Sequence, residues 1–312
     1  MSDRPLRIGT RGSALARWQA DHVAALLRAA HPGLPIEIVV LSTQGDRVID
    51  VPLPQIGGKG VFTQELEAAL RDGRIDVAVH SLKDLPTENP QRLVIGAVPP
   101  RADARDALVS RGHVSLAQLP QGAVVGTSSL RRIAQLRRLR PDFRLRDVRG
   151  NVDTRVRKTL ELGEYDAILL ACAGLDRLNM QGVIAERLNV AQMLPAPGQA
   201  ALGIQCRDDA DALALLSPLN DPATEQLVTA ERAFLSALGG GCAVPVAAHA
   251  TMGPDGVVQL LGRVTAVDAT AQVDVSIERP VASVSDARQL GTDAAREAQS
   301  HGADQLLASI VR

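Results

Sequence analysis

The stretch Leu194-Pro195-Ala196-Pro197-Gly198-Gln199-Ala200-Ala201-Leu202-Gly203-Ile204-Gln205-Cys206 decides how this chain is divided. Two prolines and a glycine within Leu194–Gln199 deny a regular element its hydrogen bonds, so the segment reads as a linker. Apolar residues follow directly, so Ala201–Cys206 reads as a strand. A first linker lies upstream, at Pro99-Pro100 and the charged stretch to Asp106. Between the two linkers the pattern is that of an α/β unit. It has strands at Ala123–Gly126 and Ala167–Ala171, and helices at Ser129–Arg140 and Val152–Leu162. A unit bracketed by linkers predicts one lobe inserted into another, with a cleft between them.

The residues outside the linkers fit that plan. Leu6–Gly9 is a short apolar run, Ser13 caps a helix through Ala30, and Ile36–Leu41 is a β-branched strand. Ser42–Gly60 is rich in Gly, Pro and Asp and reads as a long loop. Phe62–Arg71 is helical, and Ile75–His80 is a buried strand. Short strands joined by helices predict largely parallel sheets. After the second linker the character changes. A helix at Pro222–Leu238 is followed by Gly239-Gly240-Gly241-Cys242. Alternating strands come next, at Val244–Thr251, Val257–Val267 and Ala271–Ile277, and then a closing helix at Val284–His301. This is a small α+β domain.

With 312 residues, the chain has room for two domains or three small ones at roughly 100–200 residues each. An apolar share of 46% provides a sizeable core. Thirty-four basic against 35 acidic residues leave a net charge of −1, which excludes a global polycation and an acidic tail protein. Five aromatics (Trp18, Phe62, Phe143, Tyr165 and Phe234) are too few for a stacking platform, so no nucleic-acid partner is expected. The uncharged stretches Leu188–Cys206 and Ala233–Pro254 are broken by Pro and Gly and predict no membrane span. Met1–Thr10 has no apolar core of a signal peptide, so the expected location is the cytoplasm, where thiols stay reduced.

Charge is concentrated, not spread. Between Thr127 and Lys158 lie ten Arg and one Lys, against only Asp142, Asp147 and Asp153. Arg137, Arg138 and Arg140 read as a solvated helix face. Arg131 and Arg132 follow Thr127-Ser128-Ser129, a strand-to-helix turn with capping hydroxyls. Free N–H groups and positive potential at such a turn suit an anion. Arg149 and Arg155 sit at the next such turn, beside Gly150 and Asn151. Arginine binds carboxylates bidentately and stays charged when desolvated, so a polyanion-binding cleft is expected. The first lobe has matching turns. Arg11 and Ser13 open its first helix, and Lys83 and Asp84 follow the strand Ile75–His80, at the edge where open α/β sheets bind ligands. His80 reads as a satisfied core histidine.

Lys59, in Gly57-Gly58-Lys59-Gly60, lacks the spacing of a phosphate-binding loop and reads as the cation of a flexible lid. Three cysteines exclude a disulfide framework and show no metal spacing, so no metal is expected. Cys172 sits in the apolar run Ile168–Ala173 and Cys206 ends a strand. Cys242, after three glycines, is the candidate reactive thiol.

Taken together, these segments resemble the porphobilinogen deaminase family along essentially the whole chain. The matching stretches are Arg7-Ile8-Gly9-Thr10-Arg11-Gly12-Ser13, Gly57-Gly58-Lys59-Gly60, His80-Ser81-Leu82-Lys83-Asp84, Gly126-Thr127-Ser128-Ser129-Leu130-Arg131-Arg132, Arg149-Gly150-Asn151-Val152 and Gly240-Gly241-Cys242. The resemblance implies an α/β fold with two lobes like a type II periplasmic binding protein and a small third domain. The expected boundaries are 1–99 with 200–221, then 100–199, then 222–312. It implies a dipyrromethane cofactor held by a thioether to Cys242. Four porphobilinogen molecules are added head to tail with loss of ammonia, and the linear tetrapyrrole hydroxymethylbilane is released. Asp84 matches the catalytic carboxylate. The expected binding set is Arg11, Ser13, Gln19, Lys83, Thr127, Ser128, Ser129, Arg131, Arg132, Arg149, Gly150, Arg155, Arg177 and Gln199, with Lys59 and Phe62 at the lid. The chain departs from the family at Ala200, where the pattern is Gly-Gln-Gly, and at Asp176, where Lys is common. A monomer is expected. The competing reading is a non-catalytic clamshell protein for small organic polyanions, which leaves the Gly-Gly-Gly-Cys loop and the third domain unexplained.

Overall fold

The computed structural model describes residues 4–43, 63–240 and 244–308. By compactness the chain forms two units, Met1–Arg101 with Ala201–Glu225, and Ala102–Ala200 with Gln226–Arg312.

The first unit is built on one five-stranded sheet. Its strands are β1 (Leu6–Thr10), β2 (Ile36–Val40), β3 (Val77–Ser81), β4 (Leu93–Ala97) and β10 (Leu202–Arg207), in the order β2-β1-β3-β10-β4. Helices α1 (Ala14–Ala30), α2 (Gln64–Arg71) and α6 (Ala210–Leu216) cover it. α1 starts where Ser13 accepts a hydrogen bond from the Ala16 amide, which satisfies one of the free N–H groups of the first turn. Val23 and Leu27 of α1 pack on Ile8, Val77, Val79, Leu202 and Ile204. Leu66 and Leu70 of α2 pack with Ile75 and Leu93.

The second unit repeats the plan. Its five-stranded sheet has β5 (Asp106–Ser110), β6 (Val124–Gly126), β7 (Arg144–Arg146), β8 (Ala167–Ala171) and β9 (Glu186–Arg187), in the order β7-β6-β8-β5-β9. Helices α3 (Leu130–Leu139), α4 (Val152–Leu160) and α5 (Cys172–Arg177) accompany it. Each sheet thus takes one strand from across a linker, β10 in the first and β5 in the second. That strand runs antiparallel to both neighbours. The expectation of largely parallel sheets is corrected here: both sheets are mixed. A strand entering from a linker arrives without a helical crossover and is free of the direction that a crossover imposes.

The remaining elements are α7 (Pro222–Ala237), the antiparallel strands β11 (Val246–Met252), β12 (Val257–Thr265) and β13 (Gln272–Pro280), and the helices α8 (Val284–Ser300) and α9 (Ala303–Ala308). Phe234, Val246, Val258, Leu260 and Leu290 form their core. Within the second unit, these elements join the linker through two contacts. Pro195 O accepts from the Ala248 amide at 3.0 Å, and the buried Glu231 carboxylate accepts from Gly198 N at 2.7 Å and Ala250 N at 2.8 Å. The architecture is therefore mixed α/β, two sheets of one plan with a small α+β part, as the resemblance implied.

Candidate functional site

In the first unit, β1 and β3 are adjacent and parallel, so both deliver their following turns to the same edge of the sheet. β1 leads to Arg11 and Ser13. Gln19, one turn further along α1, is buried and donates to Ser81 Oγ at 2.9 Å. β3 leads through Ser81 into a single 3-10 turn, Leu82–Asp84. Leu82 points inward, while Lys83 is half-buried and Asp84 is exposed. The turn therefore presents the Asp84 carboxyl at the carboxyl edge of the strands, within the same unit as Arg11 and Ser13. His80 lies behind it, fully buried, with Nε2 3.1 Å from Gln205 Oε1. Burial pushes its pKa down to about 4, helped by the charge of Arg11. It is a neutral core histidine.

The second unit has the corresponding edge. β6 runs parallel to β7 and β8 and ends at Thr127-Ser128-Ser129. Ser129 caps α3, accepting from Arg132 N, and its own amide donates to Thr127 Oγ1. Ser128 Oγ donates to Val148 O at 3.0 Å and accepts from Val148 N at 3.2 Å. It thereby fixes the turn that carries Arg149 and Gly150. Arg155 donates from Nε to Gly150 O at 2.7 Å. Arg149 and Arg155 are half-buried. Arg177, at the end of α5, donates to Ala200 O at 2.7 Å, and burial lowers its pKa to about 10.

Arg131 and Arg132 are buried, and their guanidiniums meet a carboxylate that sequence reasoning missed. Asp106, the first residue of β5, accepts from Arg131 at 2.7 Å and from Arg132 at 2.6 Å. Gln199 joins them, donating to Asp106 Oδ1 at 2.9 Å and to Ala104 O at 2.7 Å. Arg131 Nη1 also donates to Leu194 O, and Arg132 Nη1 to Leu169 O. The Nε of Arg131 is buried and has no hydrogen-bond partner. An unsatisfied buried donor costs about 1–3 kcal/mol, so such a group in a native fold needs an explanation. A ligand oxygen is one.

Asp106 was hidden because it closes a charged stretch that reads as a solvated linker. The only sequence signal was the apolar run Ala107–Val109 directly behind it. Arg137 and Arg138 are exposed, as expected, and donate to Val267 O and Ala269 O. Arg140 pairs with Asp142 at 2.8 Å and lies over the Phe143 ring. Asp176 pairs with Arg187 at 2.6 Å, and Arg187 also reaches Asp103 at 3.0 Å. Cys172 and Cys206 are fully buried, and burial raises both thiols to about 11. Neither supplies a thiolate near neutrality. Cys242, Lys59 and Phe62 lie outside the described residues.

Two family models match this chain. The model described as "Porphobilinogen deaminase, dipyromethane cofactor binding domain" covers residues 6–214, and the C-terminal domain model of the same family covers residues 225–300. The chain belongs to the porphobilinogen deaminase family. A curated porphobilinogen deaminase from Syntrophotalea carbinolica is 49% identical over 99% of this chain and 97% of its own length. One from Syntrophobacter fumaroxidans is 46% identical over the full length of both. Among solved structures, a BvgS VFT2 domain from Bordetella pertussis aligns over 69% of this chain and 84% of its own. It does so at 18% identity and a TM-score of 0.40, too low to bear on the fold.

As a family member the chain is a transferase that makes hydroxymethylbilane from porphobilinogen, and its cofactor is a dipyrromethane. The clamshell-receptor reading is set aside by the same matches. Among the described residues, no helix is long and apolar enough to cross a membrane, and no cluster of three His, Cys, Asp or Glu is placed to hold a metal ion.

Proposed function

We propose that Asp84 is the catalytic carboxylate of the porphobilinogen condensation, that Cys242 attaches the cofactor, and that the two strand-end turns bind the acetate and propionate groups of cofactor and substrate. The observation that carries this reading is the unpartnered, buried Nε of Arg131 at the N-terminus of α3. It is a donor on a buried cation, for which a carboxylate is the strongest partner. Arg11 and Ser13 at α1, and Ser129, Arg149 and Arg155 at the second edge, extend the same chemistry. When bound, the dipyrromethane supplies the free pyrrole carbon from which the chain grows.

The chain's own part is positional and acid–base. Arginine and lysine side chains hold the substrate's two carboxylates and orient its aminomethyl group. Asp84 gives a proton to that amine, and ammonia leaves. The remaining carboxylate then faces the positive charge that spreads over the pyrrole. Arg11 and Lys83 occupy themselves with negative groups and cannot serve this need. Asp84 is exposed on its turn, where a substrate can reach its carboxyl.

The three-domain division at 1–99 with 200–221, 100–199 and 222–312 is part of this proposal. It is supported by one sheet and a separate core in each part. A cytoplasmic monomer acting without nucleic acid is also proposed, from the balanced charge and the scarcity of aromatics. Intact mass tests the attachment. The purified chain carries a covalent dipyrromethane, Cys242→Ser folds without it, and Cys172→Ser and Cys206→Ala keep it. Peptide mapping that finds the adduct on Cys172 or Cys206 overturns the assignment.

A further inference from the structure

Asp106 has no part in the chemistry above, yet it organises the groups that do. It is fully buried at the start of β5. Its Oδ2 accepts from Arg131 Nη1 at 2.7 Å. Its Oδ1 accepts from Arg132 Nη2 at 2.6 Å, from Arg132 Nε at 3.2 Å and from Gln199 Nε2 at 2.9 Å. Burial alone would raise its pKa, but the two guanidiniums overrule that and hold the carboxyl far below the usual range. The two arginines therefore hold Asp106 in its charged form.

The charges do not cancel within the cluster. Two guanidiniums face one carboxylate, which leaves one positive charge in a place closed to water. A pair serving the fold alone needs one arginine. The second adds desolvation and repulsion that its attraction to the shared carboxylate only partly offsets: burial lowers the pKa of Arg131, Asp106 opposes that, and Arg132 lowers it further.

The donors are divided just as unevenly. Arg132 spends Nε and Nη2 on Asp106 and Nη1 on Leu169 O. Arg131 spends only Nη1, on Asp106 and Leu194 O, and its buried Nε is left over. Asp106 thus decides which guanidinium is locked and which keeps a donor for a ligand. One carboxylate at Arg131 would both satisfy that donor and neutralise the cluster.

We propose that Asp106 is a positioning residue, whose carboxylate locks Arg132 and turns Arg131 so that its Nε and the one uncompensated positive charge receive a single ligand carboxylate. This rests on the reading of the α3 N-terminus as a carboxylate site. The experiment starts with the wild-type protein, labelled with 15N-arginine, as apoenzyme and after reconstitution with porphobilinogen. The two Nε–H resonances are assigned from Arg131→Lys and Arg132→Lys.

On cofactor loading, the Arg131 Nε–H should move downfield as it gains an acceptor, while the Arg132 Nε–H stays protected and unmoved. An unmoved Arg131 signal in a protein whose mass shows the dipyrromethane overturns the proposal. A wild-type mass without dipyrromethane overturns instead the reading beneath it. Asp106→Asn should fold with a lower melting temperature, lose protection of the Arg132 Nε–H, and load cofactor at least tenfold more slowly. A purely structural Asp106 would lower the melting temperature and leave loading of the folded protein unchanged, and that result also overturns the proposal. If Asp106→Asn does not fold, the wild-type resonances decide alone.

Discussion

At the scale of single residues, position on the sheet edge separates groups of the same chemical type. Asp84 and Asp106 are both carboxylates near a strand end, but one is exposed on a turn and the other is fully buried under two arginines. Removing charge from Asp84 should therefore cost activity and not stability. Asp84→Asn is expected to keep its melting temperature and its cofactor mass and to lose nearly all turnover. Asp84→Glu should retain a small residue, since a displacement of about 1 Å can cost on the order of a hundredfold. Steady-state turnover within tenfold of wild type in Asp84→Asn would assign the acid role elsewhere.

His80 behaves oppositely. Its folded pKa of about 4 lies below the ordinary 6.5, so the unfolded chain takes up this proton first. Its contribution is complete above pH 6.5 and is lost as pH falls toward 4, by up to about 3 kcal/mol. Melting curves between pH 7 and 4 should show a steeper loss for wild type than for His80→Gln.

Residue by residue, positions that follow a strand were legible in the sequence and a buried carboxylate under two arginines was not. Asp84, Arg11 and Ser13 announce themselves by following a strand. Asp106 does not, because nothing local distinguishes a carboxylate that two distant arginines will cover.

At the scale of elements, α3 carries the contrast on one helix. Arg131 and Arg132 face inward to Asp106, and Arg138, almost two turns on, lies exposed. Losing either buried arginine deprives Asp106 and a backbone carbonyl of a donor, at about 1–3 kcal/mol, whereas an exposed substitution stays within about 0.5 kcal/mol. Arg131→Leu and Arg132→Leu should therefore lower thermal stability as well as cofactor loading, and Arg138→Leu should change neither. Three equal melting temperatures would refute the inward–outward division.

The helices with caps were legible almost to the residue. Ser13 opens α1 and Val284 begins α8 where the pattern placed them. Strands β4, β5, β7 and β9 were not foreseen, since two are very short and β5 starts inside a charged run. Two of the three glycines before Cys242 end a helix. Gly239 has φ 68°, its amide donates to Ser236 O, and the Gly240 amide donates to Leu235 O. That is a helix stop in which the left-handed residue favours glycine. A Cβ on Gly240 would also lie against Leu235. Composition shows that glycines are needed there, while backbone hydrogen bonds show what for.

At the scale of the whole molecule, charge distribution links fold to function. The chain is close to neutral, yet the segment from Thr127 to Lys158 is strongly basic. The lobes of the fold were legible because the two linkers punctuate the sequence; the antiparallel strand in each sheet was not, because strand direction is a property of the assembled sheet. A neutral protein with locally concentrated cations attracts a dicarboxylate substrate over short range only. Half-buried cations such as Arg11, Lys83, Arg149 and Arg155 are partly reached by solvent and its counterions. The screening length falls from about 10 Å at 0.1 M salt to about 3 Å at 1 M. The buried Asp106 cluster is closed to that screening. Raising KCl from about 0.05 to 0.5 M should thus raise KM for porphobilinogen by roughly three- to tenfold, with kcat and the melting temperature little changed. On the proposed roles the three quantities report different charges: KM the solvent-reached arginines, stability the buried cluster, and kcat the acid at Asp84. A KM that is flat across that range would mean that substrate is held by hydrogen bonds from the turn hydroxyls and amides instead of by the arginine charge.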